Sequence, residues 1–399
     1  MAMTGWNPYY RGPSGRLLQR AGKDAAPLTC VCVSGQKSDG CLQLERMGTE
    51  SNTELSISGR HAFWLSHATL EKRLGFLLPG YRADGFSIAT TDLASNASFV
   101  NYVRHHRLTD LGTGATLDLV EKSIRKVGFI TSLESRFYRE RDVLANSVHF
   151  KHPACLGVIE TPWESLIFTD YVQGRAPRMA AIAVNVARGI AEIEALSSQH
   201  VQRTSRWQAH KFWTMDFFRP WYLLRARFNF QRFLPSVETL AEQDERFSGL
   251  ANRLRALSPT LRRAAAAARN SQRCFCHMDY LRKNLFLSPQ GLQLIDWSEV
   301  KVGRIGFDGG AYLSAIFRRN DLPGFIKVRD EFLQAYAEAL DERFDRQSVM
   351  LNLNYIFLLN SLWHCLRPET IAEHQKKEKM ASLWEKYDYL LALALPAES

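Results

Sequence analysis

Residues 274–308 carry the side chains whose types and spacing best suit chemistry, and they read CFCHMDYLRKNLFLSPQGLQLIDWSEVKVGRIGFD. His277 and Asp279 follow a short apolar run, and four residues separate Asp279 from Asn284. Two apolar segments joined by the polar turn SPQG then lead to Asp296, and this pattern predicts a β-hairpin that brings Asn284 and Asp296 together. Phosphoryl transfer needs such a set, because one carboxylate meets the attacking hydroxyl while an amide and a second carboxylate hold Mg²⁺ against the phosphates of ATP.

The order H-x-D-x-x-x-x-N, followed by a strand that ends in I-D-W, resembles the catalytic core of the kinase-like phosphotransferases, the superfamily of aminoglycoside phosphotransferases and choline kinases. In this chain the two parts read HMDYLRKN and LIDWSEV. Met278 and Tyr280 depart mildly from the residues that the superfamily often carries beside the His and the Asp. A Walker loop, G-x-x-x-x-G-K-[ST], does not occur in the sequence, which excludes the P-loop kinases.

The resemblance implies a role for each polar residue of this stretch. Asp279 would accept the proton of the attacking hydroxyl, and Asn284 with Asp296 would bind Mg²⁺. His277 would orient the loop rather than donate a proton. Asp308, in R-I-G-F-D, matches by its spacing an Asp that supports the catalytic loop through hydrogen bonds in the superfamily.

The fold that the resemblance implies is α+β and two-lobed, like that of protein kinases, with a small antiparallel sheet in the N-lobe and a larger, mainly helical C-lobe. Residues 1–60 are rich in Gly, Ser, Thr and Arg and are expected to form a weakly ordered leader. Residues 61–95 begin with apolar positions at helical spacing and are expected to form a helical extension. The N-lobe is then expected over 96–173 and the C-lobe over 174–399.

Two features of a kinase N-lobe are a tight turn over the phosphates and a strand Lys that contacts them. Residues 99–124 predict the first hairpin of the sheet, and its turn contains Gly112 and Gly114 as the candidate phosphate turn. Lys122 is the favoured strand Lys. Lys126 lies on the same face of the strand and is the alternative.

The resemblance places further nucleotide contacts after this hairpin. Glu140, in the helical segment SLESRFYRERDVLANS, is the preferred ion-pair partner of the strand Lys, and Glu134 is its competitor. The backbone carbonyl of Asp170 and the N–H of Val172 would bind the adenine edge, since they lie where the superfamily has its linker between lobes.

Composition limits the remaining choices. The chain has 399 residues with 46% hydrophobic content, enough for a folded core, and no apolar run approaches the roughly 18 residues that a membrane-spanning helix needs. The N-terminus lacks a hydrophobic signal region, so a cytoplasmic location is expected. Seven Cys, thinly spread, argue against a disulfide framework.

The formal net charge of +10 is concentrated in residues 201–273, which hold 14 basic and five acidic side chains. Within this segment, residues 211–233 carry nine aromatic side chains interleaved with Arg. They would either cover the acceptor pocket or contact an anionic membrane at its surface. The basic charge favours a neutral or anionic acceptor, and without a recognised binding motif a nucleic-acid partner is not expected.

The sequence therefore predicts an ATP- and Mg²⁺-dependent phosphotransferase that moves the γ-phosphate to a hydroxyl of a small molecule. One alternative is a kinase of a lipid-linked or cell-envelope sugar at a membrane surface. The other is a kinase-like binding protein without catalytic activity, an alternative motivated by the poor Gly content of the candidate phosphate turn.

Overall fold

The computed structural model of the chain describes residues 56–57, 60–93, 99–126, 133–204 and 233–394. Nearly all of the expected leader lies outside these residues, and so does the aromatic segment 211–233 apart from Phe233. The described strands, in chain order, are β1 (Ser56–Ile57), β2 (Phe86–Leu93), β3 (Val100–Asp110), β4 (Thr116–Arg125), β5 (Phe150–Lys151), β6 (Cys155–Glu160), β7 (Glu164–Asp170), β8 (Arg273–Cys276), β9 (Leu285–Ser288), β10 (Gly291–Leu294) and β11 (Lys301–Arg304).

The longer helices of the described chain are concentrated after residue 182. In chain order the α-helices are α1 (Arg60–Ser66), α2 (Leu70–Leu77), α3 (Leu133–Arg139), α4 (Ala183–Arg203), α5 (Leu234–Gln243), α6 (Leu250–Arg269), α7 (Phe307–Arg319), α8 (Leu322–Ala339), α9 (Arg346–Cys365), α10 (Pro368–Lys376) and α11 (Met380–Ala394). A mainly antiparallel sheet thus precedes a mainly helical part, which confirms the predicted α+β class.

The N-terminal sheet has the strand order β1-β6-β7-β4-β3-β2. The two-residue strand β1 pairs with β6 in parallel, and the other neighbouring strands of this sheet pair antiparallel. The hairpin predicted over residues 99–124 forms as β3 and β4. The sheet begins earlier than predicted, however, because β2 lies in the stretch that was assigned to the helical extension.

The predicted helical extension forms two short helices, α1 and α2, separated at residues 67–69. Their apolar side chains are buried with apolar residues of the sheet, which explains why such short helices are stable here. One cluster contains Ala62, Leu65, Leu77, Ile159, Leu166 and Phe168, and a second contains Leu74, Leu108 and Leu119. The extension therefore covers one face of the sheet.

A buried ion pair connects the same helices to the sheet. Arg73, which is 8% exposed, pairs with Glu121, which is 1% exposed. Glu121 also accepts hydrogen bonds from the Tyr102 hydroxyl at 2.9 Å and from His106 Nε2 at 3.0 Å. Burial alone would raise the pKa of Glu121, but the hydrogen bond from His106 and the charge of Arg73 hold it below its ordinary value.

The C-terminal part contains two small sheets among its helices. β9 and β10 pair antiparallel, which confirms the hairpin predicted between Asn284 and Asp296, and β5 adds to β10 in parallel. β8 pairs with β11. Among the described helices no single one is long and apolar enough to cross a membrane; α9 and α10, bent by 61°, reach that length and composition only as a pair.

The Arg73–Glu121 pair leads to a prediction about stability. Replacing Arg73 by Met leaves a buried carboxylate without its cation, and breaking a buried pair in this way typically costs about 3–5 kcal/mol. We expect a clear fall in the urea midpoint of the full chain. The double change Arg73→Met with Glu121→Gln should recover much of that loss, because the buried charge is gone.

Arg104→Gln is the matched control. Arg104 pairs with Asp92 on the same sheet at 3.0 Å, but these side chains are 39% and 77% exposed. An exposed pair contributes about 0–1 kcal/mol, so this variant should unfold close to the parent midpoint. Equal losses for Arg73→Met and Arg104→Gln would show that the buried pair does not hold the extension to the sheet.

Candidate active site

The catalytic loop after β8 is held by a single buried carboxylate. Asp308, in the first turn of α7, accepts hydrogen bonds from the backbone amides of His277 at 2.8 Å and Met278 at 2.9 Å, and from the Tyr280 hydroxyl at 2.9 Å. Met278 has a left-handed backbone with φ of 63°, a conformation that non-glycine residues rarely adopt. The two amide bonds to Asp308 fix the chain directly before that conformation, and the supporting role of Asp308 in catalysis stays a prediction.

The imidazole of His277 has a protein partner at each nitrogen. Nε2 lies 3.0 Å from the carbonyl oxygen of Ile295, and Nδ1 lies 3.3 Å from the backbone N of Asp279. A carbonyl can only accept and an amide can only donate, so these partners assign a neutral ring with its proton on Nε2. His277 thus links the catalytic loop to the end of the hairpin, which fits an orienting role rather than proton donation.

Asp279 and Asn284 are in direct contact. The Asn284 side-chain nitrogen donates to the backbone oxygen of Asp279 at 2.9 Å and to its carboxylate Oδ2 at 3.0 Å. The nitrogen of the Asn284 amide is therefore occupied by Asp279, and its side-chain oxygen is the atom left to serve as a metal ligand.

Each carboxylate oxygen of Asp296 forms an ion pair with a lysine. Lys122 Nζ lies 2.8 Å from Asp296 Oδ1, and Lys283 Nζ lies 3.6 Å from Asp296 Oδ2. Burial works against the charge of Asp296, but the positive charges of the two lysines outweigh it and hold the pKa of Asp296 well below its ordinary value. Asp296 is therefore ionised, as a metal ligand must be.

The strand lysine predicted from the sequence is in the site, but one of its partners differs from the preferred one. Lys122 Nζ donates to Glu134 Oε2 at 2.7 Å, while Glu140 instead pairs with His200 Nε2 at 3.0 Å. The predicted Lys122–Glu140 ion pair is therefore wrong. α3 ends at Arg139, so Glu140 lies beyond the helix whose side presents Glu134 to the sheet.

The ammonium group of Lys122 is stabilised by carboxylates on both sides. Burial alone would lower its pKa, but the charges of Glu134 and Asp296 raise the pKa of Lys122 above its ordinary value. The alternative lysine lies elsewhere: Lys126 Nζ donates to the carbonyl oxygen of Thr161 at 2.7 Å. Lys122 is therefore the strand lysine that reaches the predicted metal ligand.

The predicted phosphate turn is wrong. Asp110 Oδ1 already accepts hydrogen bonds from the amides of Gly112 at 2.9 Å and Thr113 at 2.7 Å, so these donors are used within the turn. Gly114 also precedes Lys122 by eight residues of an extended segment, or roughly 25 Å. A turn at the far end of β4, with a carboxylate over its amides, cannot hold phosphates beside Lys122.

The last residue of β2 is level with Lys122 in the sheet. Lys122 lies opposite Val103 in the sheet, and Val103 lies opposite Leu93, the last residue of β2. Leu93 is therefore two strands away from Lys122, at the same level of the sheet. Residues 94–98, which join the two strands, lie outside the described residues.

The predicted linker begins at the end of β7, the strand next to β4: Asp170 is the last residue of β7, and Val172 lies two residues beyond it. Asp170 lies opposite Leu119, three residues before Lys122 on β4, and the Tyr171 amide donates to the backbone oxygen of Asp118 at 3.0 Å. Hydrogen bonding to the strand thus fixes the start of the linker. The contact of Asp170 and Val172 with an adenine ring stays a prediction.

Gly174 is where the linker approaches the catalytic hairpin. A Cβ at this position would lie 2.6 Å from the carbonyl oxygen of Leu287 on β9, which is closer than real Cβ atoms come. The next residue, Arg175, exchanges two backbone hydrogen bonds with Leu287, at 3.1 and 2.9 Å. Only glycine allows the linker to pair with β9 in this way.

The oxygens of Asp296 and Asn284 fit Mg²⁺ in chemical type. Mg²⁺ prefers hard oxygen ligands and usually binds through one or two protein groups together with substrate phosphates and water. Among the described residues no group of three or more His, Cys, Asp or Glu could hold a metal ion. An ion bound jointly by the protein and by nucleotide phosphates is therefore the mode that this donor set suits.

Three contacts at the site had no counterpart in the sequence reasoning. Of these three, only Lys283 could have been partly anticipated from the sequence, because it lies four residues after Asp279 within the motif. Trp297 stacks on Phe137 of α3 at 3.9 Å between ring centroids, which ties the loop of Asp296 to the helix that carries Glu134. The third is a buried carboxylate, Glu194, behind the catalytic loop.

Glu194 on α4 is fully buried and has two donors. Its Oε1 accepts from the amide of Gly306 at 2.8 Å, and its Oε2 accepts from the Tyr336 hydroxyl. Gly306 is the residue before α7, the helix that carries Asp308. Burial, together with the negative charge of Asp308, raises the pKa of Glu194 to about 8.

The fold and the site together define a kinase-like phosphotransferase. The sequence model of the Phosphotransferase enzyme family matches residues 132–350, which is more than half of the chain, and the chain therefore belongs to this family. The matched range includes Glu134, Asp279, Asn284 and Asp296, whereas Lys122 precedes it.

Several solved structures are similar to the chain at low sequence identity. A choline kinase from Cryptosporidium parvum Iowa II shares 13% identity over 79% of this chain and 91% of its own, with a TM-score of 0.44. The amicoumacin kinase hAmiN in complex with AMP-PNP, Ca²⁺ and Ami shares 12% identity over 83% and 96%, with a TM-score of 0.48. The gentamicin–APH(2")-IIa complex shares 13% over 76% and 91%, with a TM-score of 0.37. No curated protein matches the chain.

The raised pKa of Glu194 predicts a dependence of stability on pH. The folded protein keeps a proton on Glu194 up to about pH 8, whereas the unfolded chain loses it near 4.5. The native state thus binds more protons in this window, so the contribution of Glu194 to stability falls as pH rises through it. Glu194→Gln resembles the neutral acid, because its oxygen can still accept from Gly306 and its nitrogen can donate to Tyr336.

We therefore expect the free energy of unfolding to fall less for Glu194→Gln than for the parent between about pH 6 and pH 8.5. Urea unfolding of both proteins at the two pH values measures this difference. Glu192→Gln, two residues earlier on α4 and bonded to the backbone at Val148 and His149, serves as the control and should follow the parent. Identical pH dependence in the parent and Glu194→Gln would show that Glu194 is ionised in the folded protein at neutral pH.

Proposed function

We propose that this protein transfers the γ-phosphate of ATP, with Mg²⁺, to a hydroxyl group of a small molecule. The observation that carries the proposal is the convergence on Asp296. Lys122 reaches it from the sheet, and the His277-oriented loop with Asp279 and Asn284 adjoins it from the helical part. Membership of a phosphotransferase family supports the same class of reaction.

Each side chain has a definite task in this reaction. Asp279 accepts the proton of the acceptor hydroxyl as its oxygen attacks the γ-phosphorus, and His277 keeps the loop in the orientation that this requires. Asn284 and Asp296 would hold Mg²⁺, which supplies positive charge to the phosphate oxygens. Lys122, fixed by Glu134, adds a further positive charge. Phosphoryl transfer depends mainly on such positioning and electrostatic stabilisation.

The acceptor that we favour is neutral or anionic. Residues 201–273 carry 14 basic and five acidic side chains, and a polycationic acceptor would be repelled by such a segment. The alternative of a lipid-linked acceptor at a membrane surface depends on residues 211–233. All of these except Phe233 lie outside the described residues, and no other observation favours that alternative.

The central test separates chemistry from nucleotide binding. The full-length protein with Mg-ATP is screened against hydroxylated metabolites, and ADP release above the rate without acceptor identifies a substrate. Asp279→Asn should then bind AMP-PNP like the parent but lose about 100-fold or more in kcat, because the proton acceptor is removed. A variant that turns over at the parent rate would exclude Asp279 as the base, and a parent that binds no nucleotide would favour the non-catalytic alternative.

The observed partner of Lys122 provides a second test. Glu134→Gln removes the charge that fixes the lysine, so we expect the Kd for Mg-AMP-PNP to rise by about tenfold, equal to 1.4 kcal/mol. Calorimetric titration measures this affinity. Glu140→Gln, which loses the pair with His200 and leaves the Lys122–Glu134 pair in place, should bind like the parent. The opposite ranking of the two variants would mean that the lysine changes partner when nucleotide binds.

A further inference from the structure

Lys283 occupies a position between the two carboxylates that the reaction uses. Its Nζ lies 3.6 Å from Asp279 Oδ2 and 3.6 Å from Asp296 Oδ2. The side chain is 57% exposed, so it is not held there by packing. Its place follows from the catalytic loop itself, because Lys283 directly precedes Asn284 at the short 3₁₀ turn that ends the loop.

The space between these carboxylates is the path of the transferred group. Asp279 marks the acceptor end, since it must lie within hydrogen-bonding distance of the attacking hydroxyl. Asp296 marks the nucleotide end, since it would hold the metal ion on the phosphates. A phosphoryl group that moves from nucleotide to acceptor therefore crosses the region that the Lys283 ammonium can reach.

The two lysines at Asp296 differ in how tightly they are held. Lys122 is 15% exposed, lies on Asp296 Oδ1 and is also fixed by Glu134. Lys283 is mostly exposed, lies on the other oxygen, and has longer contacts. Lys122 therefore suits a constant contact with the bound nucleotide, while Lys283 can shift by the small distance that a moving phosphoryl group requires.

We propose that Lys283 is a further catalytic residue, whose ammonium group contacts the oxygens of the phosphoryl group in transfer. This inference rests on the proposed function. In the step, the acceptor oxygen forms a bond to the γ-phosphorus, the bond from that phosphorus to the bridging oxygen breaks, and its electron pair stays on ADP. The hydroxyl proton goes to Asp279. Lys283 remains protonated throughout and supplies positive charge only.

A simpler role makes different predictions. Lys283 could serve only as the counterion of two neighbouring carboxylates and leave when Mg²⁺ and nucleotide enter. Removing its charge would then raise the affinity for Mg²⁺, because a competing cation is gone, and would leave kcat unchanged. A catalytic contact made mainly in the transition state has the opposite signature, a fall in kcat with little change in ground-state binding.

Three variants of the full-length protein test the proposal. Lys283→Met removes the charge and keeps much of the side-chain length, and Lys283→Arg keeps the charge. Arg282→Gln removes a neighbouring exposed charge from the same turn and controls for the general loss of positive potential. Because both positions are on the surface, folding should be unaffected, and thermal unfolding checks this.

The measurements are Mg-ATP turnover, AMP-PNP binding, and binding of Mg-ADP with aluminium fluoride, which imitates a phosphoryl group in transfer. For Lys283→Met we expect kcat to fall about 100-fold, the lower end of the loss of about 100- to 1,000-fold seen when one oxyanion-stabilising donor is removed. AMP-PNP affinity should stay within about threefold of the parent, while the additional affinity given by aluminium fluoride is lost. Lys283→Arg should retain a substantial part of both, and Arg282→Gln should resemble the parent.

Other results would contradict either the catalytic role of Lys283 or the proposed function. Lys283→Met with parental kcat, parental aluminium fluoride binding and a lower Mg²⁺ requirement would overturn the catalytic role and establish the counterion role. Equal losses for Lys283→Met and Arg282→Gln would also overturn it, in favour of a general effect of charge. A parent that binds nucleotide but turns over nothing contradicts the proposed function, while the aluminium fluoride comparison still decides the role of Lys283. A parent without nucleotide binding overturns both.

Discussion

Asp308 accepts hydrogen bonds from two consecutive backbone amides and a tyrosine hydroxyl while fully buried, and the geometry of the catalytic loop depends on these contacts. The left-handed backbone of Met278 costs about 1–3 kcal/mol. A hydrogen bond to a charged group contributes about 1.5–3 kcal/mol, so the bonds to Asp308 can offset that strain. The loop thus keeps a conformation that its own sequence does not favour, and Asp279 is directed by a helix that lies 30 residues further along the chain.

The titratable side chains of the site lie in two places. Lys122 connects Glu134 to Asp296, and this contact joins the sheet to the hairpin that ends in the predicted metal ligand. Behind the loop, Glu194 and Asp308 are both fully buried carboxyl groups. Asp308 has three donors, and Glu194 with two donors has the pKa of about 8. Burial raises the pKa of both carboxyl groups, and the three hydrogen-bond donors to Asp308 oppose that rise.

The parts of the site that are close in sequence were predictable, and those that depend on distant elements were less so. Asn284 and Asp296 flank one hairpin, whose turn and apolar strands are visible in the sequence, and Asp279 is bonded to Asn284 in the loop before it. The partner of Lys122 depended on where α3 ends, which periodicity alone did not reveal. The phosphate turn was assigned to the β3–β4 hairpin, and β2, with the sequence FSIATTDL, was not recognised as a strand. β2 is an exposed edge strand rich in Thr and Ser, so it lacks the apolar alternation that identifies a half-buried strand.

Strand β4 shows how the extension and the site constrain each other. Glu121 and Lys122 are neighbours that point to opposite faces of the sheet, and each is a buried charge neutralised by a helix on its own face. Arg73 of α2 meets Glu121, and Glu134 of α3 meets Lys122. A shift of β4 by one residue would turn Glu121 to the face of Glu134 and Lys122 to the face of Arg73, so both ion pairs would be lost. Charge therefore fixes the register that places Lys122 beside Asp296, and α2, which precedes the part of the chain that the family model matches, supplies half of that constraint.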